Sequence, residues 1–534
     1  MAHPAPRIVG ICGAAIAGPT LALQLLSHPI LRTLFRPVLF DQSPPPAPVR
    51  TASKESTAKP SPAYSPSPAN SNHRQRAGAS VALLPNGLYP LFNLGLVQAL
   101  RRHGHECDDL TLWSGPSSLD HVPDAPLTHL KTMVNGMWSH DMQMGAMYFE
   151  RASLQSLLVD RVRELGGEVR WSKKAIRFEP LSSSASAGTS SANHRGQTRV
   201  TFADGTHFDV DLLVGADGGY SPVRRHILAQ RDPKTAEQRW LPHSMGMTGI
   251  YGISSADRIP PTHAPERPFS ESHSVWLPRG FLATGPCPGR MFRWDLILPE
   301  SAPPSPWSAP DEAEPRPGAS HASPPGAAGK GAEEAWQAAI VPGPYPKPTT
   351  VRILRSHLRL RHPFAGDFAT MLATADRIIH TPLRQRVWKE DEIQCTSASG
   401  GANVVLLGDA ARLMLPTSGQ GTGFAIEDAT VLAGMLLKHA GPSSASSAPS
   451  AQNVTGDEGL GAAVEEYARL RRPRSERMAA AASWVGSVGV GSTWYYRLLR
   501  YCATKLTPGA DLKTKKTRDP WPMNGRFDVE QRER

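Results

Sequence analysis

The chain has 534 residues, with 58 Lys and Arg against 47 Asp and Glu, a net charge of +11. That length can hold two or three domains with sizeable cores. A basic balance can signal nucleic acid, but the arginines here are scattered and no aromatic-plus-basic recognition patch stands out. The charge is read as attraction for anionic cofactors and substrates, plus a basic tail.

Arg7-Ile8-Val9-Gly10-Ile11-Cys12 predicts a short buried strand. The turn Gly13-Ala14-Ala15-Ile16-Ala17-Gly18 and an apolar helix over 21–26 follow. Strand, tight turn and helix form a dinucleotide-binding start: backbone N–H groups face a pyrophosphate, and the helix N-terminus adds partial positive charge. Ala15 takes the place of the middle glycine of G-x-G-x-x-G, which narrows the approach without closing it. Alone, this turn suits an ordinary strand–helix–strand unit as well. A second strand over 37–40 ends in Asp41, whose carboxylate can accept from ribose hydroxyls. It follows Gly13 by 28 residues, against a usual spacing of about 20.

Residues 43–72 are Pro- and Ser-rich and read as a disordered loop, as do 182–196, 302–331 and 441–456. In 76–86 the small residues Gly78 and Ala79 allow a ligand to lie close, and 87–100 has helical spacing. The second segment is a strand over 210–214 running into Gly215-Ala216-Asp217-Gly218, with Ser221, Val223 and Arg224 at a helix start. Alternating segments 246–253, 273–277 and 291–298 predict antiparallel strands. The third segment is Val404-Val405-Leu406-Leu407 before Gly408-Asp409-Ala410-Ala411-Arg412. Pro416, Gly419-Gln420-Gly421-Thr422-Gly423 and Glu427-Asp428-Ala429 follow.

These segments resemble the FAD-dependent aromatic-ring flavoprotein monooxygenases, the para-hydroxybenzoate and salicylate hydroxylase family. Its motifs G-A-D-G-x-x-S-x-V-R and G-D-A-A-H…P…G-Q-G…E-D-A match here, with Arg412 where His is usual. The resemblance implies that Asp217 touches flavin and pyridine nucleotide and that Arg224 props it. Asp409 would bond a ribityl hydroxyl, and Gly419, Gln420, Gly421 and Thr422 would open a helix facing the flavin N1–C2=O edge. Arg151, in Glu150-Arg151-Ala152-Ser153-Leu154, resembles the family's FAD-contacting helix start, and 467–477 resembles its closing helix. Arg412 cannot give up its proton. It is read as an anchor for a phosphate, a substrate carboxylate or Glu427, not as a shuttle. Arg74 and Arg76 hint at a phosphate-binding edge.

The fold expected is α/β with α+β elements: a discontinuous Rossmann-like FAD-binding domain, an antiparallel-sheet substrate domain and a helical C-terminus. The FAD-binding domain takes 1–110, 140–226 and 395–440, with an insert at 43–75. The substrate domain takes 111–139 and 227–394, with an insert at 302–331, and 457–534 is the helical region. The implied chemistry is reduction of FAD by NAD(P)H, oxygen addition at flavin C4a, and attack of an aromatic or polyketide-like substrate on the hydroperoxide. Alternatives are epoxidation of an alkene or terpenoid and a non-catalytic FAD-binding relative. The halogenase motif W-x-W-x-I-P and the Baeyer–Villiger motif F-x-G-x-x-x-H are missing. The sequence singles out no general base: Tyr251, His243 and Arg225 stand out no more than other polar residues.

The five cysteines, Cys12, Cys107, Cys287, Cys395 and Cys502, form no C-x-x-C pair. That argues against a metal site and for reducing, cytoplasmic surroundings. The first strand leaves no room for a signal peptide. Residues 478–496 carry no charge, but Gly486, Gly489 and Gly491 interrupt them. A packed or surface helix is favoured over a span, while Trp494, Tyr495 and Tyr496 with Arg497 and Arg500 could touch a membrane surface.

Overall fold

The computed structural model describes residues 5–45, 80–107, 109–115, 127–136, 138–139, 143, 145–181, 196–259, 271–304, 330–399, 401–441, 457–491 and 493–506. Arg74, Arg76, Gly78 and Ala79 lie outside them, as does most of the four Pro-, Ser- and Gly-rich runs.

Six strands form one sheet in the order Gln394–Cys395, Val404–Leu406, Leu212–Gly215, Arg7–Cys12, Phe35–Phe40, Glu168–Arg170. All neighbours are parallel except the first pair. The central strands are apolar throughout, not alternating, because both faces are covered. Val9, Ile11, Leu213, Val214, Val405 and Leu406 are all buried, each burial contributing about 1.5–3 kcal/mol. Helices Ala17–Ser27 and Gly421–Ala440 pack together, joined by Gln24 Nε2 donating to Thr430 Oγ1 at 3.0 Å.

The run over 210–214 is not one strand. His207–Val210 pairs with Thr198–Phe202 in a separate three-stranded sheet, and Leu212–Gly215 joins the parallel one. The switch is at Asp211. Its N–H donates to Ile8 O at 2.9 Å, and its Oδ2 accepts the Ile8 N–H at 2.7 Å. The segment 87–100 is likewise two helices, Pro85–Asn93 and Val97–His103, broken at Gly95 with φ +77°.

A second large sheet has eight strands in the order Arg412–Leu413, Ala375–Val387, His243–Ser255, Met291–Pro299, Gly280–Cys287, Ser272–Leu277, Leu110–Ser114, Thr128–Met133. It is antiparallel except where Ser272–Leu277 meets Leu110–Ser114. Trp294, Leu296, Phe368 and Leu372 build a core of its own on this sheet. The chain then forms helix Asp457–Val490, turns at Gly491 with φ +61°, and forms helix Trp494–Leu506. No described helix is long and apolar enough to cross a membrane.

Candidate functional site

The parallel register sets Cys12 beside Gly215, and Gly215 beside Leu406. The three motif turns therefore leave the sheet at one place, the carboxyl ends of adjacent strands, where open α/β sheets bind ligands. Backbone bonds stitch them together. Ala216 N–H donates to Cys12 O at 2.8 Å, Leu407 N–H to Gly215 O at 2.9 Å, and Gly13 N–H to Phe40 O at 2.7 Å. Gly13 has φ +112°, and a Cβ there would lie 2.2 Å from Ala216 O. Only glycine lets the first and second turns come this close. Asp41 Oδ2 accepts the Ala14 N–H at 2.7 Å, and Oδ1 accepts the Ser43 N–H at 2.8 Å. Its remaining lone pairs are available, since each carboxylate oxygen has two.

A cavity of about 260 Å³ opens against these turns. Ala15, Ala216, Gly218, Asp409, Gly419, Gly421 and Thr422 line it, together with Arg151 at the start of helix Arg151–Glu164. Gly419 has φ +65°, and helix Gly421–Ala440 begins with no side-chain cap. Its first N–H groups and dipole are therefore open to an acceptor at the cavity. Asp409 reaches into this space, accessible yet ringed by protein. Desolvation raises its carboxyl pKa against the pull of Arg412, Arg151 and Arg224. An extended anionic group carrying hydroxyls matches this donor and acceptor set.

Behind the helix start lies a buried charge cluster. Asp428 Oδ2 accepts the Gly408 N–H at 2.8 Å and pairs with Arg412 Nη1 at 2.5 Å, while Oδ1 accepts from Arg471 Nε at 2.7 Å. Glu427 accepts from Arg471, Arg474 and Asn86 at 2.6–2.9 Å. Burial pushes the Glu427 carboxyl up, but Arg471 and Arg474 outweigh it and hold the pKa at about 2. All three guanidinium carbons lie 4.7–5.2 Å from the centre of the Phe424 ring. Arg412 thus anchors Asp428, not Glu427. Gln420 is buried and accepts from Asn86 Nδ2 at 2.9 Å, so it stands behind the cavity wall.

Asp217 and Arg224 also stand behind that wall. Asp217 Oδ2 accepts the Val223 N–H at 3.2 Å, and Oδ1 is buried with no hydrogen-bond partner among the described residues. Burial raises its carboxyl pKa. Arg224 donates to Gly219 O at 2.6 Å, Ala410 O at 2.8 Å and Trp240 O at 2.9 Å, and lies 3.6 Å from the Trp388 ring centre. Burial lowers the guanidinium to about 9. Its bonds clamp the second and third motif turns together.

From the eight-stranded sheet, Arg293 reaches the cavity. Its Nη1 pairs with Asp295 Oδ2 at 2.7 Å, and its guanidinium lies 5.1 Å from the Tyr148 ring centre. Asp295 holds it charged despite burial. Tyr148 OH shares a hydrogen bond with Ser272 Oγ at 2.8 Å.

A family model described as an FAD binding domain matches residues 369–447. The chain is 26% identical to the 3-amino-4-hydroxybenzoate 2-monooxygenase PtmB3 of Streptomyces platensis, covering 74% of this chain and 75% of that protein. It is 24% identical to salicylate hydroxylase of Pseudomonas putida, over 88% and 83%. The crystal structure of Klebsiella pneumoniae HpxO complexed with FAD and uric acid superposes with TM-score 0.59 at 16% identity, covering 99% of this chain and 96% of that one. These similarities agree with the resemblance to the FAD-dependent aromatic-ring flavoprotein monooxygenases. The chain is a monooxygenase, and its cofactor is FAD.

Among the sequence candidates, Ala15, Arg151, Asp409, Gly419, Gly421 and Thr422 line this monooxygenase's cavity. Gly13, Ala14, Gly18, Asp41, Asp217, Arg224 and Gln420 shape the turns around it. Tyr251 lies beside Asp295 and Arg293, whose charges act on its hydroxyl. His243 and Arg225 are exposed, Arg225 pairing with Glu237. Sequence reasoning missed Arg293 and Asp295. The available signal was two opposite charges two residues apart, hence on one face, in the otherwise apolar strand Met291–Pro299. It also missed Gln155, whose Nε2 donates to Ala14 O at 2.7 Å.

Proposed function

We propose that this monooxygenase uses NAD(P)H and O2 to hydroxylate an aromatic or polyketide-like small molecule, with Arg293 orienting the substrate. The observation that carries this reading is that one cavity is bounded both by the three motif turns and by a charged arginine from the other sheet. FAD supplies the activated oxygen once reduced. The protein's own residues do the rest.

The turn at Gly13, Ala14, Ala15 and Gly18 would receive the pyrophosphate, and Asp41 would take the adenosine ribose. Asp409 would accept from a ribityl hydroxyl, and the open N–H groups at Gly421 and Thr422 would meet the ring edge, where the helix dipole favours negative charge. Arg151 balances the phosphates. Gly78 and Ala79 are assigned to the same site because 76–86 resembles the family's second flavin-proximal strand. Arg293 would hold a phenolate or carboxylate oxygen of the substrate, fixing which ring carbon faces the flavin. On this reading 1–110, 140–226 and 395–440 are assigned to FAD and 111–139 and 227–394 to substrate.

The test is NADPH and NADH oxidation in air by the yellow holoenzyme, across phenols and aromatic acids, with product analysis. Stimulation with ring hydroxylation supports the reading. Stimulation by no aromatic compound, with turnover of an alkene, overturns it.

A further inference from the structure

Helix Trp494–Leu506 is built inside out. A surface helix of a globular protein turns its apolar stripe to the core and its charges to water. Here Arg500 turns inward: its Nη1 donates to Gly489 O at 3.0 Å and Nη2 to Leu277 O at 2.9 Å, its guanidinium 5.1 Å from the Trp276 ring centre. Arg497 stays exposed, its Nη1 donating to Gly491 O at 3.3 Å. Trp494, Tyr495, Leu498 and Leu499, at spacing i, i+1, i+4 and i+5, share the opposite face. They are 70%, 47%, 53% and 42% exposed. Trp484 and Val485, in the last turns of the preceding helix, are also exposed.

Scattered exposed apolar residues need no explanation, but an ordered row of them on one helix face marks a docking surface. Charge decides the occupant. Between 497 and 518 the sequence carries Arg497, Arg500, Lys505, Lys513, Lys515, Lys516 and Arg518 against Asp511 alone. A second copy would bring a second chain of net charge +11, and the two would repel. A lipid surface bearing anionic headgroups attracts it, and aromatic residues beside basic ones suit the boundary between headgroups and chains. We infer that this face docks on an anionic membrane surface, the helix lying in the interface without crossing it. Helix Asp457–Val490 links the face to the cavity: Thr417 Oγ1 donates to Ala482 O at 2.7 Å, next to the cavity-lining Pro416 and Leu415. The inference does not depend on which compound is oxygenated.

The experiment is flotation of the full-length, FAD-loaded protein with phosphatidylcholine vesicles, with and without phosphatidylserine. The variants are Trp494→Glu and Leu498→Glu, singly and together, and a chain ending at Leu506. Wild type should float with the anionic vesicles and far less with neutral ones. Each Glu exchange should cut the bound fraction by roughly tenfold, since a lost apolar anchor and an added like charge act together. Flavin absorbance and melting temperature should stay unchanged. Wild type remaining in the soluble fraction overturns the inference. So does a lipid-free dimer that the Glu variants dissociate, which makes a second copy the occupant. Flotation by the shortened chain alone also overturns it, since residues 507–534 would then cover the face.

Discussion

Asp409 lines the cavity at a place where its charge is costly, since desolvation raises its pKa. Hydrogen bonds from FAD hydroxyls would offset that cost. Asp409→Ala should therefore weaken FAD binding by roughly 10–100-fold, as expected for loss of a bond to a charged group, read by titrating apoprotein with FAD. Unchanged affinity would remove Asp409 from the site. Arg293 offers a different test. Arg293→Met should raise KM for the substrate about 10-fold or more, with FAD affinity retained, because a charge-assisted bond to substrate is lost. Steady-state kinetics beside the same titration separates the two effects. A parallel fall in FAD affinity would assign Arg293 to the cofactor instead.

At the level of elements, the start of helix Gly421–Ala440 is held from behind. Glu427 is fully buried and accepts from two arginines and an asparagine. A buried pair adds little net stability, but removing one partner strands the other charge. Glu427→Gln should destabilise the protein by about 3–5 kcal/mol, measured by denaturant unfolding of the apoprotein. A loss under about 1 kcal/mol would show that Asp428 alone satisfies the arginines. The contact between turns can be probed separately. Gly13→Ala puts a methyl 2.2 Å from Ala216 O in a backbone region that L residues avoid. It should abolish flavin retention on purification while leaving the chain helical by circular dichroism.

For the whole molecule, the buried histidines set the acid side of stability. Burial lowers His226 and His380 to about 4, against about 6.5 in an unfolded chain. Below about pH 6.5 the unfolded chain binds protons that the fold refuses, so stability falls with pH down to about 4. Glu427 extends the fall at lower pH: its depressed pKa contributes stability above about 4.3 that is lost on approaching 2. Melting temperatures between pH 7 and 4.5 should show this decline. His380→Gln should flatten it relative to wild type, although the ring's bonds to Thr248 and Thr350 are lost. An identical slope would mean that His380 is protonated in the fold.

The three motif turns were legible in the sequence because each is local: an apolar run and a glycine where φ must be positive, with a short acid in the second and third. The resemblance to the family, and through it the expected cofactor, rest on such short-range motifs. Arg293 and Asp295 were not legible, because their meaning depends on which sheet face meets the cavity, and that is set by pairing between strands far apart in the chain. The same holds for Arg471 and Arg474, read beforehand only as part of a closing helix. Their partners Glu427 and Asp428 are over 40 residues away. The break at Asp211 and the inverted face of helix Trp494–Leu506 were hidden for one reason. Hydrophobic periodicity reports how residues alternate, whereas long-range contacts decide which side faces the protein.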